Sequence, residues 1–196
     1  MTHLSVMPDD EPERVLLHTG AAERIREELG AIGVRFEQWQ ATRPLPNAAD
    51  SDTVLGAYRP DVDRICEEGG YRLVDVARLR PDPEDPQWPE KARAARTKFL
   101  DEHFHTEDEV RFFVDGSGCF YLHLNQRVYA MVCTAGDLIS VPANTVHWFD
   151  MGSTPDFTAI RFFQEEDGWV GNFLPTSIAH RFPTLDDLNS AFEALT

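Results

Sequence analysis

At 196 residues the chain is long enough to bury one sizeable core without a disulfide framework or a structural metal. Its formal net charge is −16, from 34 acidic and 18 basic residues. Such a surface repels phosphate backbones and anionic headgroups, which argues against a nucleic-acid binder or a polybasic membrane anchor.

In chain order, Ala21 to Leu29 is charged and helix-prone, with Ile25 and Leu29 spaced i, i+4. Gly30 and Gly33 end it, and Val34 to Trp39 alternates like a strand. Thr42 to Asp52, with Pro44, Pro46 and Asn47, reads as a loop. Ser51 or Asp52 would cap one helix from about Val54 to Glu68, stopped by Gly69-Gly70. Tyr71 to Leu79 reads as a strand, Arg80 to Pro89 as a proline-rich connection, and Glu90 to Leu100 as a helix.

From His103 the texture changes to short β-prone runs: 110–114, 119–124, 127–133, 137–142, 147–151 and 157–164. Turn signals separate them, including Asp115-Gly116-Ser117-Gly118. This spacing suggests a β-barrel or double-sheet jelly roll. Thr184 would cap a last helix over 186–195. The expectation is therefore a mainly β (α+β) single domain over 1–196. A mixed α/β part (1–100) packs on the barrel, the core strands occupy 101–166, and a tail with a helix covers 167–196.

Three cysteines, Cys66, Cys119 and Cys133, form no CxxC pair and read as free thiols, with Cys119 and Cys133 as small hydrophobes. No apolar run approaches the ~18 residues of a membrane span, and Met1 to Pro12 has no signal-peptide pattern. A cytoplasmic monomer without nucleic-acid or membrane partners is expected.

The chemistry concentrates in His103-Phe-His105-Thr-Glu-Asp-Glu109, with His147 far downstream. On a strand His103 and His105 share a face, and Glu109 joins them if the bend between preserves parity. Three imidazoles and a carboxylate suit Fe(II), Ni(II), Mn(II) or Zn(II), and four protein ligands leave two positions of an octahedral ion open. Asp108 points the opposite way on a regular strand and is left out of the set. An isolated HxH is a weak signal. HxHxxxE followed by Gly136-x5-Pro142-x4-His147 is a strong one.

That pattern resembles the cupin superfamily, with the first motif running on to Gly116. It departs from the usual motif at Thr97 and Asn144, where glycine is common, and at Met151, where asparagine is common. Within the superfamily, the chain resembles acireductone dioxygenases. The resemblance is carried by Gly33 to Trp39, Gly70-Tyr71 with Asp75-Val76, Lys98 to Phe112, Val141 to Phe149 and Ile160 to Phe163.

The resemblance implies one Fe(II) or Ni(II) per chain. It also implies O2-dependent cleavage of 1,2-dihydroxy-5-(methylthio)pent-1-en-3-one in methionine salvage. The Fe form would give formate and 4-methylthio-2-oxobutanoate. The Ni form would give carbon monoxide, formate and 3-(methylthio)propanoate.

In so acidic a protein, an anionic substrate needs a local cation, and two arginines are candidates. Arg161 sits in an otherwise mostly apolar strand, where it either faces substrate or pairs with an acid. Arg111, two after Glu109, either faces substrate or supports Glu109 through a guanidinium–carboxylate bond. Phe99, Phe149 and Trp169 correspond to pocket aromatics of the family, or are plain core. Glu102, just before the first ligand, either receives an imidazole N–H or is a solvated acid. His123 has no acid at coordinating spacing and reads as an ordinary core or surface histidine.

The rival readings are another metal-dependent cupin dioxygenase and a non-catalytic small-molecule-binding cupin. The first lacks the joined strings around Glu109 and His147; the second often loses ligands that this chain retains.

Overall fold

A computed structural model describes residues 1–39, 45–46, 49–166, 168 and 170–194. The first half holds β1 (His3–Pro8), β2 (Leu17–Thr19), α1 (Ala22–Gly30), β3 (Arg35–Gln38), α2 (Ser51–Ala57), α3 (Arg59–Gly69), β4 (Leu73–Leu79) and α4 (Trp88–Thr97). Then come β5 (His103–Phe104), β6 (Glu109–Leu124), β7 (Arg127–Thr134), β8 (Asp137–Val141), β9 (His147–Asp150) and β10 (Phe157–Phe163). The chain ends with β11 (Asn172–Phe173), a short 3-10 turn and α5 (Leu185–Glu193).

β6 organises the molecule because its two halves belong to different antiparallel sheets. Residues 109–116 pair with β8 and β10, which continue to β3 and β4. Residues 117–124 pair with β7 and β9; β7 continues to β1 and β2, and β9 to β5 and β11. The expected turn at 115–118 is therefore wrong: the chain bends there and stays in the sheet. Gly116 makes the bend, with φ +72°, and a Cβ on it would run into the Asp156 carbonyl oxygen. A register slip at Thr158/Ala159 leaves Val114 opposite no residue of β10. The extra residue lets Phe113 and Phe120, of opposite parity, enter the same core.

That core lies between the inner faces of the two sheets, where Leu4, Phe36, Met131, Ile139 and Ala159 join Phe113 and Phe120. Of the β-barrel and double-sheet jelly roll that the strand spacing allowed, this is the double-sheet arrangement. The outer face of the β7–β9 sheet (Tyr121, Val128, Ala130, Trp148) packs under Phe182, Leu185 and Leu188 of the C-terminal segment. The outer face of the other sheet (Val110, Phe112, Leu138, Ile160) packs under Val54, Tyr58, Val62 and Ile65. Each such large apolar side chain contributes about 1.5–3 kcal/mol on burial. The first hundred residues are woven into both sheets through β1 to β4.

The single helix expected over 54–68 is two helices. They break at Tyr58 (φ −110°), because Pro60 lacks the N–H an unbroken helix would use and is tolerated only in the first turn of α3. The cap of α2 is Asp50, whose side chain accepts from the Thr53 N–H, rather than Ser51 or Asp52. Thr184 does cap α5, with a reciprocal bond from its own N–H to Asp187. Part of the expected 42–52 loop lies outside the described residues.

Candidate metal centre

His103 on β5 and His147 on β9 are direct cross-strand partners, and Glu109 opens β6. His105 follows β5 by one residue. Ligand atoms of His103, His105, Glu109 and His147 all lie within 4.8 Å of one another, the one such group of three or more found among the described residues. All three histidines are buried. Asp108, outside the expected set, instead accepts from the Ala143 N–H at 2.9 Å. It thereby ties the ligand segment to the turn before β9. In that turn Asn144 has φ +62°, the left-handed conformation that suits glycine and that asparagine tolerates. The departure from the usual glycine thus keeps the same backbone.

Each imidazole is oriented by a backbone carbonyl at Nδ1: Asp101 for His103 (2.8 Å), Val170 for His105 (2.9 Å) and Thr145 for His147 (2.8 Å). A carbonyl only accepts, so Nδ1 carries the proton in all three rings. The Nε2 atoms are then left for the interior. Two of them approach one carboxylate oxygen, Oε2 of Glu109, at 3.2 Å (His105) and 2.7 Å (His147). Neutral imidazole lone pairs facing a carboxylate oxygen repel unless a cation stands between them, either a proton or a metal ion. The donor set therefore fits a divalent transition ion.

The charges agree with that geometry. Burial, aided by the charge of His147, pushes His103 down to about 4, leaving it neutral. Burial also works to lower His105, but its hydrogen bond to Glu109 prevails and raises it. Burial would raise Glu109; the Arg111 charge and the two histidines outweigh it and hold the carboxyl well below the usual range.

The centre opens onto a cavity of ≈ 80 Å³ lined by Glu109, Arg111, Arg161, Phe99, Phe149 and, deeper, Phe113 and Met151. Arg111 and Arg161 are cross-strand partners on β6 and β10, and Asp75 on β4 stands opposite Arg161. This makes a row of charge across three strands. Arg111 donates to Glu109 Oε1 at 2.7 Å. Arg161 forms a two-pronged bond to Asp75, at 2.7 and 2.5 Å. Both guanidiniums lie over the Phe163 ring, at 5.6 and 5.3 Å from its centroid. So each arginine has an acidic partner and a place in the cavity wall at once.

Glu102 does receive an imidazole N–H, but from His123 at 2.6 Å, not from a ligand histidine. Its other oxygen accepts from the Ile178 N–H. His123 thus lies between Glu102 and Asp9, acids remote in sequence and hence invisible to a spacing argument. Trp169 lies outside the described residues. Three features escaped the sequence reading. The orienting carbonyls of Asp101, Thr145 and Val170 have no side-chain signature. The cavity residues Ala77, Phe113, Phe120, Phe157 and Ala159 look like any core. The Asp75–Arg161 pair spans 86 positions.

Residues 3–171 match the model of the ARD/ARD' family. Acireductone dioxygenase 1 of Nocardia farcinica is 57% identical over 188 residues, covering 96% of this chain and 99% of that protein. The acireductone dioxygenase of Saccharopolyspora erythraea is 54% identical over 188 residues, with 96% and 98% covered. A solved structure, an acireductone dioxygenase from Bacillus anthracis with a cadmium ion in its active center, superposes with a TM-score of 0.73 at 26% identity. That alignment covers 88% of this chain and 98% of the other. With a family model spanning most of its length and relatives above half identity along nearly all of it, the chain belongs to the ARD/ARD' family.

Proposed function

We propose that this chain is an acireductone dioxygenase of methionine salvage. It holds one Fe(II) or Ni(II) on His103, His105, Glu109 and His147, and cleaves 1,2-dihydroxy-5-(methylthio)pent-1-en-3-one with O2. The observation that carries this reading is the set of three imidazoles, each fixed at Nδ1 by a carbonyl, two of them with Nε2 against Glu109, which lines a cavity together with two guanidiniums. When bound, the ion supplies Lewis acidity toward an enediolate and the electron chemistry that O2 requires.

The chain's own groups do the rest. Arg161 and Arg111, each paired with an acid, place guanidinium groups in the cavity wall where an anionic substrate would meet them. Arg111 also keeps Glu109 ionised and directed. Phe99, Phe149, Phe113 and Met151 make an apolar wall that excludes water and suits a methylthio tail. The same reading makes the protein a monomer of a reducing cytoplasm, in keeping with three free cysteines, two of them buried. Among the described residues no helix is long and apolar enough to cross a membrane.

Product analysis at defined metal loading tests the proposal. Strictly Fe(II)-loaded protein is expected to give formate and 4-methylthio-2-oxobutanoate without carbon monoxide, and Ni(II)-loaded protein to give carbon monoxide, formate and 3-(methylthio)propanoate. No consumption of the acireductone with either metal overturns the activity. His103→Ala should lose the metal, and full retention would overturn the ligand set.

A further inference from the structure

We infer that Glu107 is a positioning residue: it clamps the segment after β10 against the ligand loop, so that the Val170 carbonyl is held where it orients His105. The inference rests on the ligand assignment above.

Glu107 lies between two proposed ligands, yet it is outside the group that could hold a metal. It is 8% exposed. Its Oε2 accepts from the Gln164 backbone N–H at 2.5 Å. Gln164 is the first residue past β10, and its side-chain amide donates to the Gly69 carbonyl, which anchors it from the far side. Farther along the segment, the backbone at Gly168 lies against the Glu107 carboxylate so closely that a Cβ on Gly168 would overlap Oε1. Two residues on, Val170 accepts the His105 Nδ1 proton. The ligand loop and this segment thus hold one another at both ends, through Glu107 at Gln164 and through His105 at Val170.

Fold stability does not account for the choice of glutamate. Among the described residues, Oε1 is buried with no hydrogen-bond partner. A buried carboxylate with one oxygen unmatched is a cost, which a neutral isostere would lessen. What the side chain gives instead is an acceptor oxygen for the Gln164 backbone N–H. That bond fixes where the chain leaves β10, and the same carboxylate meets the chain again at Gly168, two residues before the Val170 carbonyl. An imidazole whose Nδ1 partner drifts turns on its χ angles and loses aim at Nε2. Groups that orient metal-ligating histidines in this way typically change metal affinity about 10–100-fold when removed.

The test uses the full chain loaded with Co(II) and follows metal release into excess EDTA, with thermal melting of the metal-free chain alongside. Glu107→Ala is expected to release Co(II) at least ~10-fold faster, and Glu107→Gln, which keeps an acceptor oxygen, within ~3-fold of the parent. Gly168→Ala attacks the same contact from the other side and should also speed release. In the double variant the new methyl occupies the space Glu107 vacated, so release is no faster than in Glu107→Ala. The metal-free melting temperature of Glu107→Gln should equal or exceed the parent's. Release within twofold of the parent in both alanine variants, or release that quickens only where the metal-free chain melts earlier, overturns the clamp. Failure of the ligand assignment looks different: His105→Ala would then hold Co(II) as well as the parent.

Discussion

Arg161 shows how far one residue can be read. Its exposed two-pronged bond to Asp75 contributes ~0–1 kcal/mol at most, since water screens it. Asp75→Ala should leave the melting temperature within a degree or two, as differential scanning calorimetry can check. Arg161→Ala should raise KM for the acireductone roughly tenfold, the scale of one lost charged contact, while metal content stays at one per chain. An unchanged KM returns Arg161 to a structural role.

Proton competition belongs to the same scale. His105 is raised above 6.5, so it retains a proton to higher pH than a free imidazole, and metal must displace it. Co(II) affinity should therefore fall as pH drops from 8 to 6. His103, lowered to about 4, does not add to the loss until pH approaches that value. A flat affinity between pH 8 and 6, measured by competition with a chelator, would contradict this. The candidate ligands were legible in the sequence because imidazoles and a carboxylate at that spacing have few other uses. The carbonyls that aim them were not, because every residue has one.

At the scale of elements, β9 and α5 meet at Asp150. It accepts two bonds from Arg96 and one each from the N–H groups of Gly152 and Leu185, the first residue of α5. Burial alone would raise this carboxyl, but the Arg96 bonds and the backbone donors prevail and hold it below 3.8. A depressed acid stabilises the fold above its unfolded value and loses that contribution as pH falls through the native one. The parent should keep the contribution down to about pH 3.8 and shed it below. Arg96→Ala should cost about 3 kcal/mol in urea unfolding and move the acid midpoint upward, since it leaves a nearly fully buried carboxylate short of its cation.

Gly116→Ala should be at least as damaging, because both the positive φ and the Asp156 carbonyl oppose a side chain there. This position also marks where pattern reading fails. Glycine and aspartate signal a turn, and only the long-range pairing of Phe157 with Gly116 shows that the strand goes on. β1 gave no signal for another reason. Nearly every residue of His3–Pro8 is buried, on both faces, so the alternation that marks a half-exposed strand is absent. Helix α1 was legible from the Ile25–Leu29 spacing, α4 from its helix-prone Ala, Lys and Arg, and α5 from its Thr184 cap. The Tyr58 break needed the weight of Pro60.

At the scale of the whole molecule, net charge −16 opposes close approach of two copies. Sedimentation equilibrium in 0.15 M salt should give a monomer of 22.3 kDa. A dimer at micromolar concentration would refute that expectation. The strand spacing indicated a β-barrel or a double-sheet jelly roll. It did not indicate that the first hundred residues lend strands to both sheets, because those pairings span most of the chain.

Of the three imidazoles, two are aimed by carbonyls two positions before them, and the third by Val170, 65 positions on. Local chain geometry can therefore ready His103 and His147 early, whereas His105 waits for the far end of the polypeptide to return. Acquisition of the metal is then a late event in the life of the chain, coming after the sheets have closed. In refolding from urea, tight retention of Co(II) should appear no earlier than the slowest phase seen by tryptophan fluorescence. Tight retention in the first phase would show that the remote carbonyl is dispensable.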